Sequence, residues 1–369
     1  MPLPMNRPLH TNNWFQFIGV GLKLLPYVPA YIYASLRSQK KYASKFKSEY
    51  LRYYMANIVP GDNNLYSALY AFGTPVFHNG GVPKGGSKKL ASNMENEYIR
   101  SGGTIHFNSE VEEFIVEKKK IVGMKLKNGT IVTADYYVSC CDAYQVSKQF
   151  LKGTKKDKRI IARFRHPENY PTPSCVYVSF KVDLDKIKEL GLTSTYQFKC
   201  EPFKCGSRYV DDIKFRDYSY DENFIKARKT LLNVLIHQHD NDYYHWSYLR
   251  QNYKTYLNEK DRIAEDVKSR IITRFPSLKD SIEIIDVCTP MTYKRYVNAH
   301  RGAYMCWSYT HNGKHLIHNS AIGGIKNFVF SGQWTMMPGG LPIALMSGKF
   351  AIQICRKKEH LSLIINGRK

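Results

Sequence analysis

The segment from Phe328 to Ile354, FVFSGQWTMMPGGLPIALMSGKFAIQI, constrains the fold more than any other stretch of the chain. It opens on Phe328-Val329-Phe330, an apolar run short enough for one buried strand. Ser331 to Leu341 then carries Gly332, Gly339 and Gly340 and reads as a loop. Pro342 suits the first turn of a helix, where its missing N–H has no partner to lose. Ile343 to Ile354 continues as an apolar helix, with Arg356, Lys357 and Lys358 at its negative end. Strand, glycine loop and helix in this order gather unpaired backbone N–H groups and the positive end of a helix dipole at one place. Glycine there lets a flat ring lie directly on the backbone.

The rest of the chain supplies a frame for that segment. Residues 1 to about 75 read as helical, with Lys40 to Met55 amphipathic. A glycine-rich turn, Asn79 to Ser87, precedes a helix over Ser87 to Ser101 that Gly102 stops. Thr104 to Val116 and Ile121 to Leu126 are extended. The turn at Asn128-Gly129 returns the chain through Ile131 to Ala134, a β-meander. Tyr136 to Cys140 is a short apolar run that suits a core strand. From Leu151 to Asn319 the pattern is mixed, with strands at Ser174–Val182, Leu231–His237 and Glu283–Val287 and a helix over Glu259–Phe275.

Three elements, in order, carry a resemblance. Pro83-Lys84-Gly85-Gly86-Ser87 leads through a helix to Gly102-Gly103 and then Asn108 to Phe114. Asn128-Gly129-Thr130 leads to Ala134-Asp135 and Tyr137-Val138-Ser139. Ser331-Gly332-Gln333, Pro338-Gly339-Gly340 and Met346-Ser347-Gly348 close the series. Together they resemble the phytoene desaturase (phytoene dehydrogenase-like) family of FAD-dependent oxidoreductases. The resemblance covers about 75–150 and 320–356. It implies an α/β (α+β) fold: an incomplete Rossmann-like FAD-binding domain with a β-meander, plus a mixed-sheet and helical substrate domain. The implied divisions are 1–75 helical and partly membrane-facing, 76–150 partial FAD-binding domain, 151–319 substrate domain, and 320–369 a return to the FAD-binding domain. It further implies that Gly332 and Gln333 approach the ribityl chain of FAD, that Gly339, Gly340, Leu341 and Ile343 face the flavin ring, and that Val111 lies near the adenine. Phe114 stands where the family usually has Ile, and Gln333 where many flavoproteins have an acidic residue.

One departure is larger. The family begins with a strand, GxGxxG, a helix and an acidic ribose ligand. Here Gly19-Val20-Gly21 is followed by Leu24, Pro26 and Pro29, with no acidic residue at the required distance. The expectation is a family member without its N-terminal pyrophosphate-binding unit, through truncation, a split protein whose second chain supplies the unit, or a misplaced start.

The implied reaction is hydride transfer at a carbon–carbon bond of an apolar, polyene or isoprenoid-like small molecule: desaturation, saturation or isomerisation. The aromatic-rich regions 14–72 and 293–309 would wall the substrate from water. No catalytic acid or base is legible; Tyr293 and Tyr296, near Arg295, are candidates that core packing explains better. Two rivals stand beside this reading: a non-catalytic lipid-binding relative similar to the Rab GDP-dissociation inhibitors, and an inactive fragment.

Charge and cysteines narrow the partners. The chain of 369 residues has a formal net charge of +24, with 55 Lys+Arg against 31 Asp+Glu. The densest basic run, Lys152 to Arg165, lacks an aromatic platform beyond Phe164, and no nucleic-acid module is visible. The charge therefore suits a solvated surface or an anionic membrane surface ahead of nucleic acid, and a basic bias with no partner would look the same. Trp14 to Leu36 is apolar apart from Lys23, long enough to span a bilayer but interrupted by Pro26 and Pro29. A helical hairpin or monotopic surface is the expectation, in a cytoplasmic protein held peripherally at the inner face of the membrane. Eight cysteines at irregular spacing read as reduced thiols, with Cys200 and Cys205 the one pair spaced for a bridge. His237 and His239 share a strand face with Asp240, Asp242 and His245 nearby, but their spacing suits a polar strand end better than a metal site.

Overall fold

The computed structural model describes residues 7–59, 63–77, 80–152, 157–192, 194–308 and 310–361. Outside them fall Asn79 of the glycine-rich turn, residues 153–156 of the basic run, and residues 60–62 and Tyr309 of the aromatic-rich regions.

The N-terminal apolar stretch forms α1 (Trp14–Leu24) and α2 (Val28–Ser35), joined by a 3-10 turn at Leu25–Tyr27. Asn13 and Gln16 form a capping box at its start. Leu24, Leu25, Tyr27 and Val28 all keep right-handed helical angles, so Trp14–Ser35 is one helical run of 22 residues rather than a hairpin. Each proline lies in the first turn of its helical segment, where no N–H is needed. The amphipathic stretch that follows is two helices, α3 (Gln39–Ala43) and α4 (Glu49–Asn57). The Ser48 side chain accepts the Leu51 N–H and starts the second. Next come α5 (Leu65–Val76) and α6 (Gly86–Arg100).

The meander is β1 (Val111–Glu117), β2 (Lys120–Leu126) and β3 (Ile131–Val132), antiparallel in that order. Gly129 takes the left-handed angle, φ +87°, that the Asn-Gly turn needs. Then follow β4 (Tyr137–Ser139), α7 (Ala143–Gln145) and α8 (Lys158–Arg165). The central stretch comprises β5 (Ser174–Asp183), α9 (Leu184–Glu189), β6 (Thr195–Cys205), β7 (Arg208–Asp217), β8 (Lys229–Gln238), α10 (Asp240–Arg250), α11 (Tyr253–Arg274), β9 (Glu283–Cys288) and α12 (Pro290–Val297). β10 (Phe328–Phe330) and α13 (Leu341–Lys358) complete the chain.

Two compact units emerge. One holds residues 1–80, 108–172 and 305–369; the other holds 81–107 and 173–304. In the first, β4 and β10 pair in parallel beside the meander. The buried Asn327 ties the two sheets together. Its side chain accepts the Ile121 N–H at 2.8 Å and donates to the Ile121 carbonyl at 2.9 Å, while its own carbonyl takes the Tyr137 N–H at 2.9 Å. Phe114, Phe150 and Phe328 stack edge-on around this junction.

The second unit is built on a five-stranded sheet, β6-β7-β8-β5-β9, antiparallel throughout where a mixed sheet was the expectation. The side chains Tyr196, Phe215, Val234, Val178 and Val287 lie side by side across its strands. They face Ile263, Val267 and Ile271 of α11, all fully buried. All eight cysteines are free thiols. Cys200 and Cys205 lie on one extended strand, where five residues span about 16 Å, beyond the reach of a disulfide.

Candidate functional site

β4 and β10 run side by side, Phe328 opposite Tyr137 and Phe330 opposite Ser139, so both carboxyl ends point the same way. Ligands in open α/β layers bind outside such ends, where a helix start adds its unpaired N–H groups. The chain leaves β10 at Ser331, whose N–H bonds the Ser139 carbonyl at 2.9 Å. Gly332 then turns with φ +94°, and a Cβ there would stand 3.1 Å from the Cys140 carbonyl. Only glycine lets the two strand ends approach this closely.

One hydroxyl holds the turn. Ser347 of α13, buried at 3% exposure, accepts the Gly332 N–H at 2.8 Å and the Ser331 hydroxyl at 3.1 Å. It donates to the Ala344 carbonyl at 2.8 Å. Its donor and both acceptor positions are used.

The loop continues through a 3-10 turn at Gln333–Thr335 to Gly339 and Gly340, each with φ +86°. Gly339 lies over a packed floor. A Cβ there would come within 3.1 Å of Cys306 Sγ and of the Gln333 carbonyl. Beneath it Trp307 and Trp334 pack edge to face, 4.8 Å apart, with Phe164 against both. Burial pushes the Cys306 thiol well above its ordinary range, so the thiol stays neutral, while the buried Arg163 guanidinium lies 5.8 Å from the Trp307 ring centroid. Gly340 is open instead: the nearest atoms to a Cβ there are 3.9 Å away. The Gly340 N–H is held by the Gln333 side-chain carbonyl at 3.2 Å. Past it, Leu341 and Pro342 are exposed and Ile343 is half-buried at the start of α13.

A second network braces the loop from behind. The buried His318 donates from Nε2 to Asp157 at 2.8 Å, while its Nδ1 accepts the Ser320 N–H at 2.9 Å. Arg159 adds a 2.9 Å ion pair to the same carboxylate. Burial alone would raise the Asp157 pKa, but the His318 and Arg159 hydrogen bonds outweigh it and hold the carboxyl below the usual range. His318, Ser320, Thr335 and Ser347 contribute to a small cavity of about 140 Å³.

Of the seven residues expected from sequence, Gly332, Gln333, Gly339, Gly340, Leu341 and Ile343 form one continuous loop and helix start. Val111 stands apart, half-buried at the first position of β1 and opposite Leu126. Ser347, Cys140, Cys306 and Asn327 were not among the expected site residues. Ser347 left a signal: it is a hydroxyl directly after the apolar start of the helix, Leu341 to Met346. Tyr293 is half-buried in the other unit, its hydroxyl 3.1 Å from Cys175 Sγ, while Tyr296 is on the surface under Arg295.

The sequence profile of the flavin containing amine oxidoreductase family matches residues 5–353. The chain belongs to this family. Among curated relatives, a chloroplastic prolycopene isomerase of Daucus carota is 25% identical over 62% of this chain and 36% of its own length. A 4,4'-diapophytoene desaturase (4,4'-diapolycopene-forming) of Methylomonas sp is 22% identical over 75% of this chain and 54% of its own. The chain thus spans about half or less of the length of these relatives. Among solved structures, a redesigned putrescine oxidase superposes with a TM-score of 0.54 at 12% identity, covering 88% of this chain and 68% of that one. A Methanosarcina mazei oxidoreductase gives 0.50 at 15% identity, covering 95% and 74%. These two likenesses concern the fold.

The cofactor of this flavin-containing family is FAD. The residues present fit the ring end of such a group. Gly340 offers an open backbone surface, and the α13 N-terminus points a positive dipole end at it. The aromatic and thiol packing at Gly339 suits a flat ring system.

Proposed function

We propose that this chain acts as an FAD-dependent oxidoreductase of the phytoene desaturase type on an apolar polyene or isoprenoid-like substrate. The observation that carries this reading is the open Gly340 surface at the carboxyl ends of β4 and β10, within a chain of the flavin-containing family. The bound flavin supplies hydride chemistry at a carbon–carbon bond. The residues of the chain do the rest. The N–H groups at the start of α13 favour negative charge at the ring edge that Leu341 and Ile343 face. Gln333 fixes the Gly340 peptide through its side chain. Ser347 keeps the Gly332 turn closed against Cys140. Val111 is assigned to the adenine end, with its backbone as the contact.

Purification with added FAD tests this reading. Retained flavin absorption bands, bleached anaerobically by a polyene or isoprenoid substrate, are expected. Failure to retain flavin even with a separately supplied GxGxxG-bearing chain would refute it. That second chain is part of the proposal, because this sequence contains no GxGxxG to hold the pyrophosphate.

We also assign the N-terminal helical run to an anionic membrane surface at the cytoplasmic face. Only 6% of its apolar window is buried, and Trp14, Phe15, Leu22 and Leu25 are more than 60% exposed. Such a face, on a chain of net charge +24, suits an interfacial helix. Co-sedimentation with phosphatidylserine vesicles at low salt is expected; equal recovery with neutral vesicles would count against the electrostatic part.

A further inference from the structure

The five-stranded sheet has two faces, and α11 covers one. The other carries Thr195, Arg216, Asn233, Ser179 and Asp286 side by side across all five strands. One step along on the same face, Lys214 pairs with Gln197, and Tyr177 pairs with Leu235 and Cys288. Lys214, Gln197, Tyr177, Leu235 and Asn233 are only half-exposed on it.

Two cations on this face, Lys214 and Arg216, share it with the carboxylates of Asp212 and Asp286. Among the described residues, neither Lys214 nor Arg216 makes an ion pair or a hydrogen bond. Other basic residues of the same sheet are paired: Lys199 with Asp211 at 2.6 Å and Lys181 with Glu283 at 2.8 Å. The carboxylates nearest the two cations are engaged elsewhere. Asp212 takes the Gln197 amide at 2.5 Å, and Asp217 takes the Ser219 N–H and hydroxyl at 2.8 and 2.6 Å. Lys214 and Arg216 are two residues apart on one strand and so project to the same side, where like charges repel. Burial, with Arg216 adding to it, pulls the Lys214 pKa down although Asp212 opposes them, so a further anion would stabilise the ammonium.

Aromatic side chains adjoin the two cations. Arg216 lies near enough to Tyr177 and Tyr220 to act on their ionisation, and burial keeps the Tyr177 phenol protonated as a neutral donor. Tyr218 stacks on Tyr220, with ring centroids 6.1 Å apart.

We propose that Lys214 and Arg216 bind the anionic oxygen head of a ligand whose apolar body lies along Tyr177, Leu235 and Tyr218 on the face of the sheet opposite α11. The apolar body rests on the proposed substrate class; the anionic head does not. The head is a carboxylate or a phosphate, both of which a paired ammonium and guanidinium can hold.

The test measures equilibrium binding of geranylgeranoic acid, geranylgeranyl monophosphate and geranylgeraniol to the full chain, by quenching of tryptophan fluorescence and by calorimetry. At least one anion should bind about tenfold or more tightly than the alcohol, as hydrogen bonds to charged groups allow. The double variant Lys214→Met, Arg216→Met should bring that anion down to the level of the alcohol, and Lys214→Arg should retain the preference. The anion that loses more identifies the head group. An unchanged unfolding midpoint shows that the double variant is folded. Equal affinity for alcohol and anions, or an anion preference that survives the double substitution, would overturn the anion site alone. Binding of none of the three would overturn the apolar-ligand reading with it.

Discussion

Ser347→Ala isolates the device that shapes the glycine loop. The substitution removes one oxygen from a helix that tolerates alanine well, so any loss comes from the contacts of that oxygen. The Gly332 N–H, buried with its residue, loses its acceptor, and an orphaned buried donor costs about 1–3 kcal/mol. Ser331, at 0% exposure, loses its hydroxyl partner, a further 0.5–1.5 kcal/mol or roughly that. The combined loss is about 2–4 kcal/mol. For a unit of this size that corresponds to a fall in Tm of roughly 5–12 °C. Urea unfolding followed through the fluorescence of Trp307 and Trp334, which lie under the loop, measures it directly. The slope of the transition should stay unchanged while its midpoint falls. Ser347→Cys, with a weaker acceptor, should lie between the two. A loss below about 0.5 kcal/mol, within the range of neutral surface changes, would show that the turn is held by packing and refute the hydrogen-bond argument.

Asn327→Ala leaves both the N–H and the carbonyl of the buried Ile121 without their side-chain partners, so a loss of about 2–4 kcal/mol is expected in the same assay. Asp157 has a depressed folded pKa, so its stabilisation is complete above the unfolded carboxyl value near 4, roughly, and fades as pH falls toward the folded one. Denaturation curves from pH 7 to 3 should show Asp157→Asn less stable than the parent at pH 7, with the gap narrowing below about pH 4. Gly348→Ala meets no atom within 4 Å and replaces a helical glycine, so it should stabilise the isolated chain by about 0.5–1 kcal/mol; Gly339→Ala, at φ +86° against Cys306, should destabilise it by about 1–3 kcal/mol.

The parts of this fold that were legible in the sequence are those whose signal is local. Phe328 to Ile354 reads as strand, loop and helix because glycine, proline and apolar runs punctuate it, and the structure adds only its pairing with β4. The meander was legible for the same reason, through Asn128-Gly129. β6 and β7 were not. Their register is broken between Lys199 and Phe203, so strict alternation fails midway, and their outer positions are charged. The break between α3 and α4 rests on the Ser48 cap, which the aromatic spacing across it obscured.

The candidate site divides along the same line. Gly332, Gly339 and Gly340 were visible as glycines, yet their reasons differ: Gly332 yields to the Cys140 backbone, Gly339 to Cys306, and Gly340 faces open space. Sequence shows that a residue has no side chain and cannot show which neighbour forbids one. The sheet face opposite α11 makes the same point for charge. Lys214 and Arg216 alternate with Ile213 and Phe215, the pattern of any strand with one wet face. What sets them apart is lateral. Asp212, the carboxylate that would neutralise them, is turned to Gln197 on the neighbouring strand, and only the strand register reveals that. A half-exposed ammonium beside an exposed guanidinium, neither in an ion pair and the neighbouring acid bonded to an amide, is a stronger sign of an anionic ligand than net charge could be, because +24 spread over a surface needs no partner at all.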